Sequence, residues 1–415
     1  MAFRTEASEL LSAFYATIEP SVEAAELPGK TWRRVYIDGT FVSAFYVLPA
    51  LINTVQCLLK DKKISGKYSQ SSLESMIAER LITVHFKEPE KACERIGDLV
   101  SELLDSVPKA MNVYMSIHGL SVSMRERIGQ FDFIPAGDYE KLGIKCYNSG
   151  MESHIKDHIW HNHDHVMVTV SACDSVKARE KAYSEFQWLE NAARLFVDSD
   201  FYDVGITSFN FSHIENALVT DGNGMTIGSS SSVKGSPVQL PFSKIFEKDN
   251  NLYRVVNKLG FSISVLTELQ QRIRHAVYLG GLSVHEKVPK VSYFLGVSAF
   301  EALFQKETNK YVNPSIAQQI IESFCYLVAD ESHRRNMFET MRPFYGKRSA
   351  FAHGGKTIVS TGDLDLLRAY LRAAILKLID DPVLSGLKTI DEVAALICDK
   401  KFGAKINATD KNGGR

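Results

Sequence analysis

The chain of 415 residues sets 48 Lys and Arg against 49 Asp and Glu, a net charge of −1 at pH 7. That length can bury the cores of two or three domains. The charge balance excludes a globally basic nucleic-acid coat, so any nucleic-acid site has to be local. Six cysteines, at 57, 93, 146, 173, 325 and 398, include no C-x-x-C pair. They suggest neither a zinc ribbon nor a disulfide framework, and they fit reduced thiols in a cytoplasmic protein. The first 20 residues carry Glu6, Glu9 and Glu19 and lack a secretory pattern. The most apolar run, 41–59, contains Ser43, Pro49, Asn53 and Gln56, and reads as a buried helix rather than a membrane span.

In chain order, Leu10, Leu11, Phe14 and Ile18 share one side of a predicted helix over 7–18. Pro20 and Pro28-Gly29 then break the chain. Residues 32–37 predict a strand, 42–59 a buried helix interrupted near Pro49, and 60–72 a polar loop. Two strand–helix–strand units are expected next. The first has a strand over 81–86, a helix over 90–104 and a strand over 113–122. The second has a strand over 165–172, Asp174 as N-cap, a helix over 175–196, and strands over 204–211 and 214–219. Thr83-Val84 with Lys91-Ala92-x-Glu94 matches Thr169-Val170 with Lys177-Ala178-x-Glu180, which fits either an internal duplication or two similar βα units. Residues 221–237 are rich in Gly and Ser and read as a linker or a mobile hairpin; no Gly-Lys-Ser/Thr ending marks a phosphate loop.

From 258 onward the pattern is helical. Leu266, Leu269, Ile273, Ala276, Val277 and Gly280 mark one helix face. Pro289 starts a nearly all-apolar helix to about 304, which should be central. Ile316, Ile320, Phe324, Leu327 and Val328 mark a third helix, and 331–345 a fourth. Asp363 is the expected cap of a last long helix ended by Pro382, and a short helix over 389–400 precedes a polar tail expected to be disordered. The predicted fold class is α+β: an N-terminal α/β domain over 1–240, a C-terminal all-α helical bundle over 241–382, then 383–415 with the short helix and tail.

Two constellations could carry chemistry. The first is His154, His158, His161, His163 and His165, five of the chain's 12 histidines. His154 and His158 would share a helix face, and imidazole suits zinc. No Glu follows His154 as a metalloprotease would need, and a solvated loop before a strand is the favoured reading, so no metal is assigned. The second is the stretch over 344–355, Phe-Tyr-Gly-Lys-Arg-Ser-Ala-Phe-Ala-His-Gly-Gly. Arg348 offers a planar, permanently charged fork to phosphate oxygens. His353, after an x4 gap, can move a proton near neutral pH. Five positions on a helix rotate side chains by roughly 140°, so one straight helix does not aim both at one atom. Either the segment begins in a loop, or two copies meet across a symmetric interface. A structural alternative makes Arg348 an ion-paired surface residue and His353 a C-cap before Gly354. Glu301 is the lone charge in 293–304 and needs a partner if buried, for which Arg348 is the candidate.

The C-terminal part resembles the HEPN superfamily, and within it the Apea-like HEPN group. The residues that carry this are Arg272-Ile273-x-x-Ala276, Phe294-Leu295, Phe300-Glu301-Ala302-Leu303, and Tyr345-x-x-Arg348-Ser349 through His353-Gly354, followed by the last amphipathic helix. They span about residues 258–380. The resemblance implies a HEPN helical bundle that forms a homodimer and places two Arg/His motifs in one cleft. Many such proteins are metal-independent endoribonucleases, without cofactors, acting as toxins or effectors in bacterial antiviral defence by abortive infection; others are inactive binding modules. By resemblance, Arg348 holds the scissile phosphate and His353 transfers protons; the lone-carboxylate argument gives Glu301 the role of orienting Arg348. Family members often have Asn, Asp or His after the arginine, where this chain has Ser349, itself able to hydrogen-bond phosphate. The implied partner is RNA, tRNA included, met by a rim of Lys347, Lys356, Tyr345 and Arg342, with Arg334 and Arg335 as further rim or as a solvated face. The N-terminal domain would answer a phage or host trigger.

Overall fold

The computed structural model describes residues 2–21, 30–146, 149–155, 164–197, 204–206, 213–234, 240–241, 247, 250–306, 316–352 and 358–402. The fold is mixed α+β, with two antiparallel sheets in the N-terminal half and helices in the C-terminal part.

The first part comprises α1 (Ala2–Tyr15), β1 (Glu19–Ser21), β2 (Thr31–Ile37), β3 (Thr40–Tyr46), α2 (Leu48–Leu59), α3 (Lys62–Ser65), α4 (Gln70–Lys87) and α5 (Ala92–Asp105). Its three strands pair in the order β1-β3-β2. Asp38 and Gly39 turn the β2–β3 hairpin with φ of 47° and 83°. Two positive φ values match the twist of the strands they join, which is why Asp-Gly marks such hairpins. Residues 42–46, expected in a helix, therefore lie in β3, and α2 starts at Leu48 with Pro49 in its first turn. The strand expected over 81–86 is the end of α4. There Leu73, Ile77, Ala78, Leu81 and Ile82 are buried at helical spacing. Packing of that face overrides the local β preference of Ile82-Thr83-Val84. Thr83-Val84 is thus helical while Thr169-Val170 lies in a strand, and the two matched segments are not structural duplicates. Leu11, Phe14, Leu51, Val55, Leu58, Ile77, Leu81, Leu99 and Leu103 belong to one core.

The second part adds β4 (Lys109–Ile117), β5 (Leu120–Ser121), β6 (Glu126–Ile128), β7 (Phe131–Ile134), α6 (Ser149–His154), β8 (Asp164–Ala172), α7 (Ser175–Val197), β9 (His213–Asp221), β10 (Thr226–Lys234) and β11 (Leu240–Pro241). Six of these strands form an antiparallel sheet ordered β10-β9-β4-β8-β7-β6. Alternation along each strand decides what each face buries. Val113, Met115, Val166 and Val168 share a core with Ala178, Ala182 and Phe186 of α7, while Tyr114 and Met167 belong to a smaller cluster. Asp174 caps α7 as expected, accepting from the Lys177 amide at 2.8 Å. It also accepts from the amide and hydroxyl of Ser69, the N-cap of α4, at 2.9 and 3.0 Å, which links the two cores. The Ser-rich run, read as a linker or a mobile hairpin, lies in a hairpin: it is the edge strand β10, joined to β9 by the Asp221–Gly224 turn.

The third part is helical: α8 (Asn251–Leu259), α9 (Glu268–His285), α10 (Pro289–Phe304), α11 (Ile316–Val328), α12 (Arg334–Ala352), α13 (Thr361–Asp380) and α14 (Ile390–Lys401). Ser360, not Asp363, is the N-cap of α13; Asp363 closes its capping box. α9 lies on α7. A methyl at Gly281 would overlap the Asn191 backbone, and one at Gly280 would meet Leu371 and Leu195 at 2.7 and 2.9 Å. Beside this contact the buried Arg274 guanidinium sits 4.2 Å above the Trp188 ring, pairs with Glu185, and donates to the carbonyls of Leu259 and Phe261 at 2.8 Å. Trp188 Nε1 donates back to the Arg274 carbonyl at 3.0 Å. The apolar core that starts at Met111 continues across residue 240, the boundary suggested by the sequence, to Ile397; the change of core falls between Leu103 and Met111.

Gly281→Ala is expected to destabilise the protein by about 3 kcal/mol, because the overlap is with backbone that cannot rotate away. Gly346→Ala places its methyl in open space on α12 and should stabilise by about 0.5–1 kcal/mol. Urea unfolding of both variants checks this pair; equal effects would contradict the close α7–α9 approach.

Candidate functional site

The helix expected over 331–345 continues as α12 through the motif to Ala352, with Pro343 inside it. Arg342, Tyr345, Lys347, Arg348 and Ser349 therefore share one helix. His353 and Lys356 lie outside the described residues. The side chains of α12 reach solvent or core according to helical phase. Met341, Phe344 and Tyr345 are buried, whereas Arg342 and Ser349 are exposed.

Arg348 meets Glu301, the pairing anticipated from the lone carboxylate of α10. Its Nη2 lies 3.1 Å from Oε1 and 3.3 Å from Oε2. The guanidinium also stands 5.5 Å from the centre of the Phe294 ring. Phe294 and Glu301 are seven positions apart and so lie on one face of α10. Aromatic face and carboxylate together fix the plane of the fork. The Arg348 side chain remains 33% exposed, against 17% for Glu301. A pair this accessible to water contributes about 1 kcal/mol or less. It orients the guanidinium without withholding it from a competing oxyanion.

Tyr345, assigned to RNA from the sequence, is 9% exposed and turns into the bundle, so it offers no ring for a base. Its hydroxyl is buried without a hydrogen-bond partner. Burial, then the nearby Glu301 charge, push the phenol well above its ordinary range, so it stays protonated. Tyr293 fixes the two helices together by donating from its hydroxyl to the Phe344 carbonyl at 3.1 Å. Lys347, also assigned to RNA, is committed to Asp363 at 2.6 Å. That bond is the main reason the Asp363 carboxyl lies below its ordinary range, with Ser360 adding to it. The side chains of Arg342 and Ser349 have no hydrogen bond or ion pair among the described residues.

Five further residues of the resemblance, Arg272, Ile273, Ala276, Phe300 and Leu303, are structural. Arg272 pairs with Glu268 at 2.7 Å and donates to the carbonyls of Ala302 and Gln305 at 3.3 and 3.0 Å, closing the end of α10. Ile273, Ala276, Phe300 and Leu303 are core. Sequence reasoning missed Phe294 as the platform under Arg348 and Asp363 as the anchor of Lys347. The first had a signal, its spacing of seven from Glu301; the second is a long-range contact with none.

Of the histidine constellation, His154 ends α6 and His165 is buried in β8, not in a solvated loop. His158, His161 and His163 lie outside the described residues. Among the described residues no group of His, Cys, Asp and Glu is arranged to hold a metal ion, and no helix is long and apolar enough to cross a membrane. All six cysteines are free. No family model matches the chain, and no curated protein or solved structure matches it either.

The lowered Asp363 carboxyl makes a pH prediction. A carboxyl whose folded value is depressed contributes stability that is present above its ordinary value of 3.8 and is lost as pH falls through the lower folded value. Lys347→Met removes the main cause. Thermal unfolding across the acid range should show wild type losing more stability than Lys347→Met between about pH 5 and 2, and parallel curves would contradict the assignment.

Proposed function

We propose that the chain is a metal-independent endoribonuclease of HEPN type, a toxin or effector of bacterial antiviral defence by abortive infection, with its site at the α10–α12 edge. The observation that carries this reading is the Arg348 guanidinium, seated on Phe294, oriented by Glu301 and still open to solvent. Ser349 is exposed beside it, and His353 follows the last residue of α12. In this reading Arg348 binds the scissile phosphodiester and stabilises charge gathering on its oxygens. The RNA 2′-oxygen attacks the adjacent phosphorus, the bond from phosphorus to the 5′-oxygen breaks, and a 2′,3′-cyclic phosphate and a 5′-hydroxyl result. His353 takes the 2′-hydroxyl proton or supplies the proton to the departing 5′-oxygen. Ser349 hydrogen-bonds a phosphate oxygen, and Glu301 acts as a positioning residue. Two such sites would meet in a homodimer. Phe294, which lies under Arg348, is exposed, as are Val291 in the first turns of α10 and Val288 at its N-cap, and this apolar exposure supports an interface there. RNA, tRNA included, is the proposed substrate, the N-terminal part is the proposed receiver of a phage or host trigger, and the cytoplasm is the proposed location.

A second reading has its own support. Arg348 is held by Glu301, Lys347 by Asp363, and Tyr345 is buried, so these motif residues also stabilise the bundle. A catalytically inactive HEPN module for dimerisation or RNA binding would use them only in that way. Incubation with total cellular RNA and tRNA in excess EDTA separates the two. The nuclease reading expects cleavage by wild type and a loss of about 100-fold or more in Arg348→Ala and His353→Ala. Unaltered cleavage in both variants would overturn the site. Dimers that bind RNA, cut none and do not arrest growth on expression would favour the module.

A further inference from the structure

Arg334 and Lys400 meet at Tyr326, at the opposite end of α12 from Arg348, and the charge of Lys377 acts on Lys400 there. Arg334 is the first residue of α12, and its guanidinium lies 4.7 Å from the centre of the Tyr326 ring. Lys400, in the last turn of α14, brings Nζ to 3.5 Å from the Tyr326 carbonyl. Lys377, in the last turn of α13, bonds Asp381 at 2.8 Å, and its charge and that of Arg334 both bear on Lys400.

The local charges do not balance. Neither Arg334 nor Lys400 has a carboxylate partner among the described residues. The acidic groups nearby are used elsewhere: Glu322 pairs with Lys401 at 2.9 Å, Asp330 with His333 at 2.6 Å and Asp380 with Arg254 at 2.7 Å. Glu331 and Asp399 are exposed and pair with none of the three cations. Lys377 and Lys400 sit at helix C-termini, where a cation gains about 0.3–1 kcal/mol from the dipole. Arg334 has no such explanation. It stands at a helix N-terminus, the end that disfavours a cation, and the first turn of α12 has no acidic residue. Its Nε is buried without a hydrogen-bond partner. Burial, reinforced by Lys377 and Arg334 and opposed by Asp381, lowers the proton affinity of Lys400, as expected where like charges crowd.

We propose that Arg334, Lys377 and Lys400 form a binding site for a phosphoryl group, separate from the Arg348 edge. A planar fork flanked by two ammonium groups suits the oxygens of a phosphate. Arg334 already covers the Tyr326 ring, so the site reads phosphate rather than a base. The phosphate can belong to a small molecule or to a nucleic-acid backbone. About 21 Å of α12 separates Arg334 from Arg348, a distance a short single strand can bridge.

Thermal unfolding of the full chain tests this in phosphate-free buffer at constant ionic strength. The probes are inorganic phosphate, a nucleoside diphosphate and a short single-stranded RNA, applied to wild type, Lys400→Met and Arg334→Gln. At least one probe is expected to raise the wild-type Tm, with affinity about tenfold weaker in each variant. Without a probe, Lys400→Met should unfold close to wild type, because relief of repulsion offsets the lost dipole and Tyr326 carbonyl contacts. A response to inorganic phosphate or the diphosphate assigns the site to a small phosphorylated ligand; a response to RNA alone assigns it to a backbone phosphate. The proposal is overturned if no probe shifts wild type or if wild type and both variants shift equally. It is also overturned if Lys400→Met unfolds early without a probe and Arg334→Gln keeps the wild-type response, the mark of a cluster that only holds helix ends. None of these outcomes depends on RNA cleavage.

Discussion

The close approach of α7 and α9 is the constraint on which the rest of the structure depends. α7 belongs by packing to the six-stranded sheet, and α9 to the helical bundle. The contact needs a residue without a side chain, and Gly280 and Gly281 provide it. Arg274 then makes the junction directional. Its charge is removed from water, which is tolerable only because Glu185, two carbonyls and the Trp188 ring satisfy it. Sheet and bundle consequently share one core, and the α10–α12 edge is carried on that core.

At that edge the strengths of the contacts decide what can move. Tyr293, buried and bonded to the Phe344 carbonyl, fixes α12 against α10. The Arg348–Glu301 pair is a weaker, water-exposed link that sets orientation more than stability. A phosphate offers the guanidinium a second oxyanion without displacing a core side chain. The Tyr345 hydroxyl, protonated and unpartnered, adds a buried donor close to the Glu301 charge. The same helix thus combines a buried inner face with an oriented, adjustable cation on its rim.

Much of the fold was legible where local chemistry and burial agree. Asp174 before α7, Pro289 at the start of α10 and Thr389 before α14 mark helix starts that the structure retains. Glu301 pointed to Arg348 because a lone carboxylate in an apolar helix has to find a cation. The misreadings have physical causes. Ile82-Thr83-Val84 is β-prone, but Ile82 belongs to the buried face that keeps α4 helical; of the two readings of the Ser-rich run the hairpin is the one formed, because β9 supplies the backbone hydrogen bonds of β10. The turn at Asp38-Gly39 was a hairpin signal masked by the apolar run beyond it. Tyr345 is polar by composition yet buried by helical phase, and the Lys347–Asp363 bond joins two helices whose relative placement no local pattern encodes.

The proposed chemistry turns on one atom of the substrate, the 2′-oxygen. The most direct measurement is cleavage of a single-stranded RNA by wild type, compared with the same strand made 2′-deoxy at the cut position, with the product ends identified. The expected result is 2′,3′-cyclic phosphate and 5′-hydroxyl ends from the first strand and no cut at that position in the second. Cleavage of the deoxy strand, or products bearing 5′-phosphates, would contradict it.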